Sequence, residues 1–592
     1  MNAPEPHHGF DDSRRLIGPN RWFAGTAVIL TPRGLAAHDS AAHARWAQRV
    51  RQVCAALAWP GPQPRAVPHP HEPTLVFAAP EDLLFTATEI NEWAWERSAA
   101  EAGERDFDLA RNPGDEPVAH FAARAAAERR PALSALREAT ATRRLPMFVD
   151  DETVSVGAGA GSRCWPLLAM PAPEGVPWPG LHDVPTALVT GSNGKTTTVR
   201  LLAAMAAASG RASGHCCTEG IWVAGRMVQS GDYSGPAGAR EVLRHRGVEV
   251  AILETARGGI LRRGLALRRA DVAVVTNISP DHLGEYGVDS AADLAEVKLV
   301  VAHAVSGGGM LVLNADDAIL MDAAARAPHA ASARQALFGR DHDHPALLAS
   351  RVRGGSTCGV REGELLLWHL GDEHALGAIV DMPLTLHGAA RHNIENIAAA
   401  ALAAAGLGLS ISVIRQTLQS FGAQPEDNPG RLERWSHRGA TVLIDYAHNP
   451  EGLAQLLLVA RALQPRRLAL LLGQAGNRDG AAIAALAGTA AGFGPDRIVI
   501  KELPAMWRGR SAGEVPALLE AALRAAGVPA ERIVHEADEE AGAFGLLAWA
   551  GPGDLIVLPV HTAAVRLRLV AALGASAQGA AGVASGLPFS TT

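Results

Sequence analysis

Short apolar runs recur along this chain, and what separates them changes character along its length. Before residue 171 the pattern predicts a strand at 26–31 and two helical stretches, at 41–57 and 118–130. Residues 171–180 read PAPEGVPWPG, and prolines at that density continue neither a helix nor a central strand. Beyond them, apolar runs at 187–190, 248–253, 271–276 and 310–313 alternate with helical segments, the rhythm of a parallel α/β sheet. A second break, QPEDNPG at 424–430, is followed by the same alternation at 441–445, 467–472, 497–501 and 554–558.

These breaks predict an N-terminal α+β domain (1–170), a proline-rich linker (171–180) and a central parallel-sheet α/β domain (181–427). A smaller C-terminal α/β domain (428–573) and a flexible Gly/Ala/Ser-rich tail (574–592) complete the expectation.

Composition narrows the class. At 592 residues the chain exceeds what one hydrophobic core supports, and 48% apolar with 19% charged residues is a globular balance. A net charge of −7 argues against a nucleic-acid partner. The five cysteines form no CxxC pair and no Cys/His zinc spacing, which suits a reducing cytoplasm. The first residues lack a signal-peptide pattern, and the longest apolar stretch, 397–409, is shorter than the roughly 18 residues of a spanning helix. A soluble, cytoplasmic protein without a membrane partner is the expectation.

The strongest chemical signal is TGSNGKTTT at 190–198, between an apolar run and a helical run at 199–208. Gly191 and Gly194, with Ser192 and Asn193 between them, let backbone N–H groups close around phosphates at a helix N-terminus. Lys195 is placed to reach the outer phosphates and Thr196 to offer its hydroxyl to Mg²⁺, with Thr197 completing the turn. The first glycine of the general P-loop pattern would fall at Val189, so the match is to its GK[ST] end. The strand before and the helix after favour a nucleotide site over a chance glycine-rich turn.

Further candidates follow the apolar runs. Glu254 ends one and His282 lies just after another, and ligands gather at the carboxyl ends of parallel strands. Each is either a Mg²⁺ ligand facing the phosphates or a residue satisfied by its own loop. Ser290 and Asp293 read as a capping box that opens a helix running to about residue 305. Lys298 falls on that helix's apolar face, with Leu294, Val297 and Val301. It is either an active-site lysine, carbamylated into a metal-binding carboxylate, or a snorkelling surface lysine. Asn393 and Asn396 precede an Ala-rich helix and either meet a nucleotide base or cap the helix. Arg431 follows the second break and can stabilise a transferred phosphoryl group, or be solvated. Asp445 follows an apolar run and can accept a ribose hydroxyl or position His448.

Taken in order, GSNGKTT, the Glu254 strand end, DHLG at 281–284, Lys298, LNADD at 313–317, HNIEN at 392–396, PGRLE at 429–433 and DYAHNP at 445–450 resemble the Mur ligase superfamily. Within it, ETARGGILR at 254–262, GDYSGP at 231–236, RGRSAGE at 508–514 and GPNRW at 18–22 resemble the cyanophycin synthetases. That resemblance implies an ATP- and Mg²⁺-dependent ligase that forms an acyl phosphate and then an amide bond. It gives Lys195, Lys298, Arg431 and His448 catalytic parts. It gives the nucleotide to residues 191–197 with Asn393, Asn396, Arg431 and Asp445, and Mg²⁺ to Thr196, Glu254, His282 and Lys298.

The implied partners are an amino acid and a carboxylate-bearing peptide or polymer acceptor, with a homo-oligomer as the expected assembly. The region before Gly180 is too short for both the N-terminal domain and a complete ATP-grasp module, which raises a partner synthetase as a further expectation. Two rival readings are a catalytically silent scaffolding subunit and a ligase for a small peptide or metabolite. Intact Lys195, Thr196, Glu254, His282 and Arg431 weigh against the first.

Overall fold

The computed structural model describes residues 9–69, 73–104, 116–281 and 283–584. Contacts divide the chain into two units. One comprises Met1–Arg361, Leu366–Ala375 and Ala398–Ile414; the other comprises Glu362–Leu365, Leu376–Ile397 and Arg415–Thr592. The division does not follow the proline-containing break at 424–430, because residues 376–397 join the second unit.

The first unit begins with a four-stranded antiparallel sheet in the order Phe10–Leu16, Ala27–Pro32, Thr74–Ala78, Arg65–Val67. Helices Ser40–Ala56 and Leu84–Ala100 pack on it around buried Trp46, Phe77 and Trp95. The Trp46 indole N–H donates to Asn91 Oδ1 at 2.9 Å and that of Trp95 to the Gly9 carbonyl at 2.6 Å. The apolar pattern predicts only the strand at 26–31. Phe10–Leu16 reads as polar (FDDSRRL) and Arg65–Val67 is three residues long, so neither carries a period-2 signal. The helix expected at 118–130 forms as Pro117–Glu128.

A small antiparallel sheet, Met147–Val149, Thr153–Val156 and Arg163–Pro166, precedes the proline-rich segment. Its glycine-rich end is fastened to the central sheet, with Ala160 N–H donating to Val248 O at 2.6 Å. Gly159 has φ +51, and a Cβ there would lie 2.2 Å from that same carbonyl. Close backbone approach therefore requires glycine in this run.

Nine of the eleven strands of the central sheet run in the order Arg226–Ser230, Gly220–Val223, Ser213–Cys217, Val250–Glu254, Thr186–Thr190, Ala270–Val275, Val305–Asn314, Arg334–Asp341, Thr357–Arg361. Gly220–Val223 pairs antiparallel with both its neighbours, and the strands from Ser213–Cys217 onward are parallel. Thr186–Thr190 is buried throughout and sits between strands reached by crossovers in opposite directions. That is the switch point at which doubly wound sheets leave a crevice beyond their carboxyl ends. The expected helix at 290–305 forms as Ala291–Leu299, followed by a 3₁₀ segment Val300–Ala304.

The second unit holds a six-stranded sheet, Glu433–His437, Ala440–Asp445, Leu555–Pro559, Leu468–Leu472, Arg497–Lys501, Ile533–Glu536, parallel except for its first strand. The tail expected to be flexible from 574 is instead helical to Ala584, the end of Ala563–Ala584. Alanine's helix propensity outweighs the occasional glycine there, and Leu569 and Leu573 anchor the helix in the core. Among the described residues no helix is long and apolar enough to cross a membrane.

The second unit also buries a charge pair that no pattern signals. Lys501, 1% exposed, ends its strand and donates from Nζ to Glu539 at 2.5 Å and to the Pro559 carbonyl. Glu539 also accepts the N–H groups of His561 and Thr562, each at 2.8 Å. Replacing Lys501 with Ala leaves that carboxylate uncompensated, so chemical denaturation followed by hydrogen exchange in Arg497–Lys501 should show a loss of about 3–5 kcal/mol. A paired Lys501→Met, Glu539→Leu replacement should cost less than the single one.

Candidate active site

The carboxyl ends of three adjacent strands meet here: Glu254 is in register with Val189, and Val275 with Thr190. From Thr190 the chain turns through Gly191–Gly194 into helix Lys195–Ala208. Gly191 has φ +148, and a Cβ on it would lie 1.8 Å from Thr276 Oγ1. Gly194, at φ +83, is the residue on which the helix begins. Both glycines are thus required by geometry.

The turn is supported from behind by the residues after Ala270–Val275. Asn277 O accepts from Ser192 N–H and Asn277 Oδ1 from Asn193 N–H, both at 2.9 Å. Ser192 Oγ donates to Ser279 O at 3.0 Å, and Thr276 Oγ1 donates to Asn193 O at 2.6 Å. A further layer holds this support: Asn314 donates to Thr276 O at 3.1 Å, and Asp317 accepts Ile278 N–H at 2.6 Å while capping helix Ala318–Arg326. The sequence reading missed Thr276, Asn277 and Ser279. Their available signal was position, since they follow an apolar run just as Glu254 does.

Within the turn, Lys195 Nζ donates to Gly191 O and Ser192 O, both at 3.0 Å, folding the ammonium back over the loop. Thr196 Oγ1 donates to Glu254 Oε2 at 2.8 Å, and Glu254 is 1% exposed. A hydrogen bond to a buried carboxylate contributes about 1.5–3 kcal/mol and fixes both groups. A hydroxyl and a carboxylate side by side at the phosphate end of a P-loop are hard oxygen donors of the kind Mg²⁺ takes, with waters and phosphate oxygens completing its shell. His282 lies outside the described residues.

Lys298 is 3% exposed, which settles its orientation as inward. Burial first, and then the charge of Lys195, hold its ammonium well below the usual lysine range, against the opposing pull of Asp281. Lys298 and Lys195 therefore share one electrostatic environment.

In the second unit, Asp445 Oδ1 accepts Ala447 N–H and Oδ2 accepts Leu432 N–H, each at 2.7 Å. Burial raises its carboxyl pKa, opposed by Arg431 and these N–H groups. Arg431 lies 4.6 Å over the Tyr446 ring, whose neighbours are His448 at 5.6 Å and His561 at 5.3 Å. Arg431 also lines a cavity of about 460 Å³ with Leu384, Leu386, Gly422 and Asn428. His561 Nε2–H donates to Ala447 O at 3.2 Å, and its pKa is pushed down to about 3 by burial and Lys501. The buried Lys501–Glu539 pair thus reaches the 445–450 loop through His561.

Asn393 and Asn396 are buried inside helix Arg391–Gly406, so neither is its N-cap. That corrects the capping alternative: the helix starts two residues earlier, at Arg391. Asn393 Nδ2 donates to Leu384 O at 2.9 Å and Asn396 Nδ2 to Asn393 Oδ1 at 3.0 Å.

Residues 189–404 match the family model described as Mur ligase middle domain, and residues 430–559 the one described as Mur ligase, glutamate ligase domain. The chain belongs to the Mur ligase superfamily. Among its curated relatives in that superfamily are cyanophycin synthetases of Geminocystis herdmanii and of a Synechocystis strain, each 37% identical to it. The first alignment covers 63% of this chain and 43% of the relative, the second 60% and 39%. The chain therefore spans less than half the length of these relatives. A UDP-N-acetylmuramoyl-L-alanyl-D-glutamate–2,6-diaminopimelate ligase of Chlorobaculum tepidum is 31% identical over 49% of this chain and 56% of its own.

The Thr196–Glu254 pair gives a direct test. Glu254→Gln should weaken Mg²⁺-dependent nucleotide binding by about 10–100-fold, by analogy with the loss of a ligand's supporting partner. Calorimetric titration should show the difference with Mg²⁺ present and little of it in EDTA.

Proposed function

We propose that this Mur ligase superfamily member is an ATP-dependent carboxylate–amine ligase that works through an acyl phosphate. The observation that carries the reading is the phosphate turn at adjacent strand ends with the buried Thr196–Glu254 pair, together with buried Lys298 on helix Ala291–Leu299 under the charge of Lys195. The order of the two Mur ligase family matches supports it.

In this reading the turn grips the triphosphate through N–H groups at the start of helix Lys195–Ala208, and Lys195 neutralises the outer phosphates. A substrate carboxylate oxygen attacks the γ-phosphorus, the bond to the β-phosphate oxygen breaks, and ADP leaves an acyl phosphate behind. An amine then attacks the acyl carbon, the tetrahedral intermediate expels phosphate, and the amine gives up a proton as the amide forms. Thr196 and Glu254, with His282 as the motif's further ligand, would hold Mg²⁺, which would supply charge neutralisation at the phosphates. Arg431 stabilises the phosphoryl charge, Asp445 and His448 meet the nucleotide and the reacting groups, and Asn393 and Asn396 form the base-binding region. The acceptor is a carboxylate-bearing peptide or polymer of the cyanophycin kind, extended by one amino acid per ATP.

Lys298 enters as a modified residue. Burial and the charge of Lys195 push its amine toward the neutral form, and a neutral amine adds CO₂ to give a carbamate and a proton. Acidification protonates the amine and reverses the addition. Removing dissolved CO₂ at pH 7 should therefore lower turnover and added bicarbonate should restore it, with the dependence absent in Lys298→Arg. A rate indifferent to CO₂ would exclude the carbamate.

The central test is ADP and phosphate release from MgATP, with oligo-aspartate acceptors crossed against each common amino acid and Lys195→Ala as the blank. The expected result is release that needs both acceptor and one amino acid, with the product gaining that residue's mass. Release no greater than the Lys195→Ala blank for every pair would defeat the cyanophycin-type acceptor.

A further inference from the structure

The N-terminal GPNRW segment has no part in the chemistry above, yet it is among the most tightly built loops of the first unit. Asn20 closes it: the side-chain amide donates to Gly18 O at 3.0 Å and Gly25 O at 2.8 Å, and Oδ1 accepts the N–H groups of Trp22 and Phe23, both at 3.0 Å. Its backbone is joined to the end of helix Arg257–Arg263, which follows Glu254 closely in the chain. Ile17 N–H donates to Arg263 O at 2.8 Å and Leu265 N–H to Pro19 O at 2.9 Å. A Cβ on Gly18 would lie 2.2 Å from Leu265 O, so no side chain fits there.

From this rigid turn Arg21 reaches the helix that carries Lys298. Its Nη2 donates to Asp293 Oδ1 at 2.6 Å and to Glu296 Oε2 at 2.9 Å, its Nε to that same Glu296 oxygen at 3.1 Å, and its Nη1 to Gly287 O at 2.9 Å. The Arg21 side chain is 9% exposed. Asp293 is also the capping-box acid: its Oδ2 accepts Ser290 N–H at 3.0 Å and Ser290 Oγ at 2.7 Å. One guanidinium thus ties together the loop before the helix, its first turn and its middle. The same loop is gripped elsewhere by Arg257, which donates to Glu285 O at 3.0 Å and Oε2 at 3.2 Å.

Ala291–Leu299 has nine residues, too few to hold its shape or place by propensity alone. A reacting constellation needs placement to about 0.5 Å, and a planar fork of fixed donors sets both rotation and height of the element it binds. We propose that Arg21 is a positioning residue, and that the N-terminal domain sets the height of Lys298 over the P-loop through it. The inference rests on the ligase reading for what Lys298 does, and on hydrogen bonds alone for how it is held.

The test compares full-length Arg21→Ala, Arg21→Lys and Arg21→Ala/Glu296→Gln with the unaltered protein, by steady-state kinetics and hydrogen exchange. Arg21→Ala should lower kcat by about tenfold or more through misplacement of the helix. It should leave KM for MgATP within about twofold, because the P-loop is untouched. Exchange should rise in residues 285–299 and stay unchanged in Lys195–Ala208. Arg21→Lys should fall between, since an ammonium cannot span three acceptors in a plane, and Glu296→Gln should add nothing to Arg21→Ala. A folded Arg21→Ala with normal kcat, or equal loosening of both helices, would overturn the proposal. Absence of turnover in the unaltered protein with every acceptor would instead strike the ligase reading, and exchange at 285–299 would still decide whether Arg21 holds the helix.

Discussion

The contact between Gly191 and Thr276 sets the geometry on which the rest of the first unit's site depends. With a Cβ position only 1.8 Å from Thr276 Oγ1, the phosphate turn has collapsed onto the end of the neighbouring strand, which glycine alone permits. Once that approach is made, Asn277 and Ser279 can reach the Ser192 and Asn193 backbone and side chains, and Asn314 and Asp317 can hold the support in turn. The shape of the turn is therefore set by protein hydrogen bonds, with the Ser192 and Asn193 N–H groups engaged in that support.

Burial of charge is the second constraint. Lys298, Glu254, Lys501 and Glu539 are all nearly inaccessible. Uncompensated, such groups oppose folding, and each is retained by a specific arrangement. Glu254 is held by Thr196, and Lys501 and Glu539 by each other together with backbone groups. Lys298 differs, because burial and Lys195 both push it toward the neutral amine. Strongly perturbed groups of this kind cluster at functional sites, and Lys298 is such a group.

Rigid support is distributed unevenly. The P-loop is buttressed by neighbouring strand ends of its own sheet. The short Lys298 helix instead depends on residues far away in sequence, with Arg21 more than 270 positions from Asp293. In the second unit the 445–450 loop rests on the Lys501–Glu539–His561 chain, drawn from three separate segments.

The parts that the sequence determined are those written in local patterns. The P-loop, the capping box of Ser290 and Asp293, and the strand rhythm on both sides of the 424–430 break follow from short-range periodicity and fixed spacing, and each forms where it was expected. The ordered motifs identify the superfamily because each encodes a local backbone shape as well as a side chain. Tertiary structure alone decided that Lys298 is buried rather than snorkelling. It alone revealed Asn277 and Ser279 behind the P-loop, Lys501 paired with Glu539, and Arg21 on the Lys298 helix. The partners of Asn277, Ser279, Lys501 and Arg21 are all distant in the chain, met when elements pack, and no local period in hydrophobicity records which distant partner a polar side chain will meet.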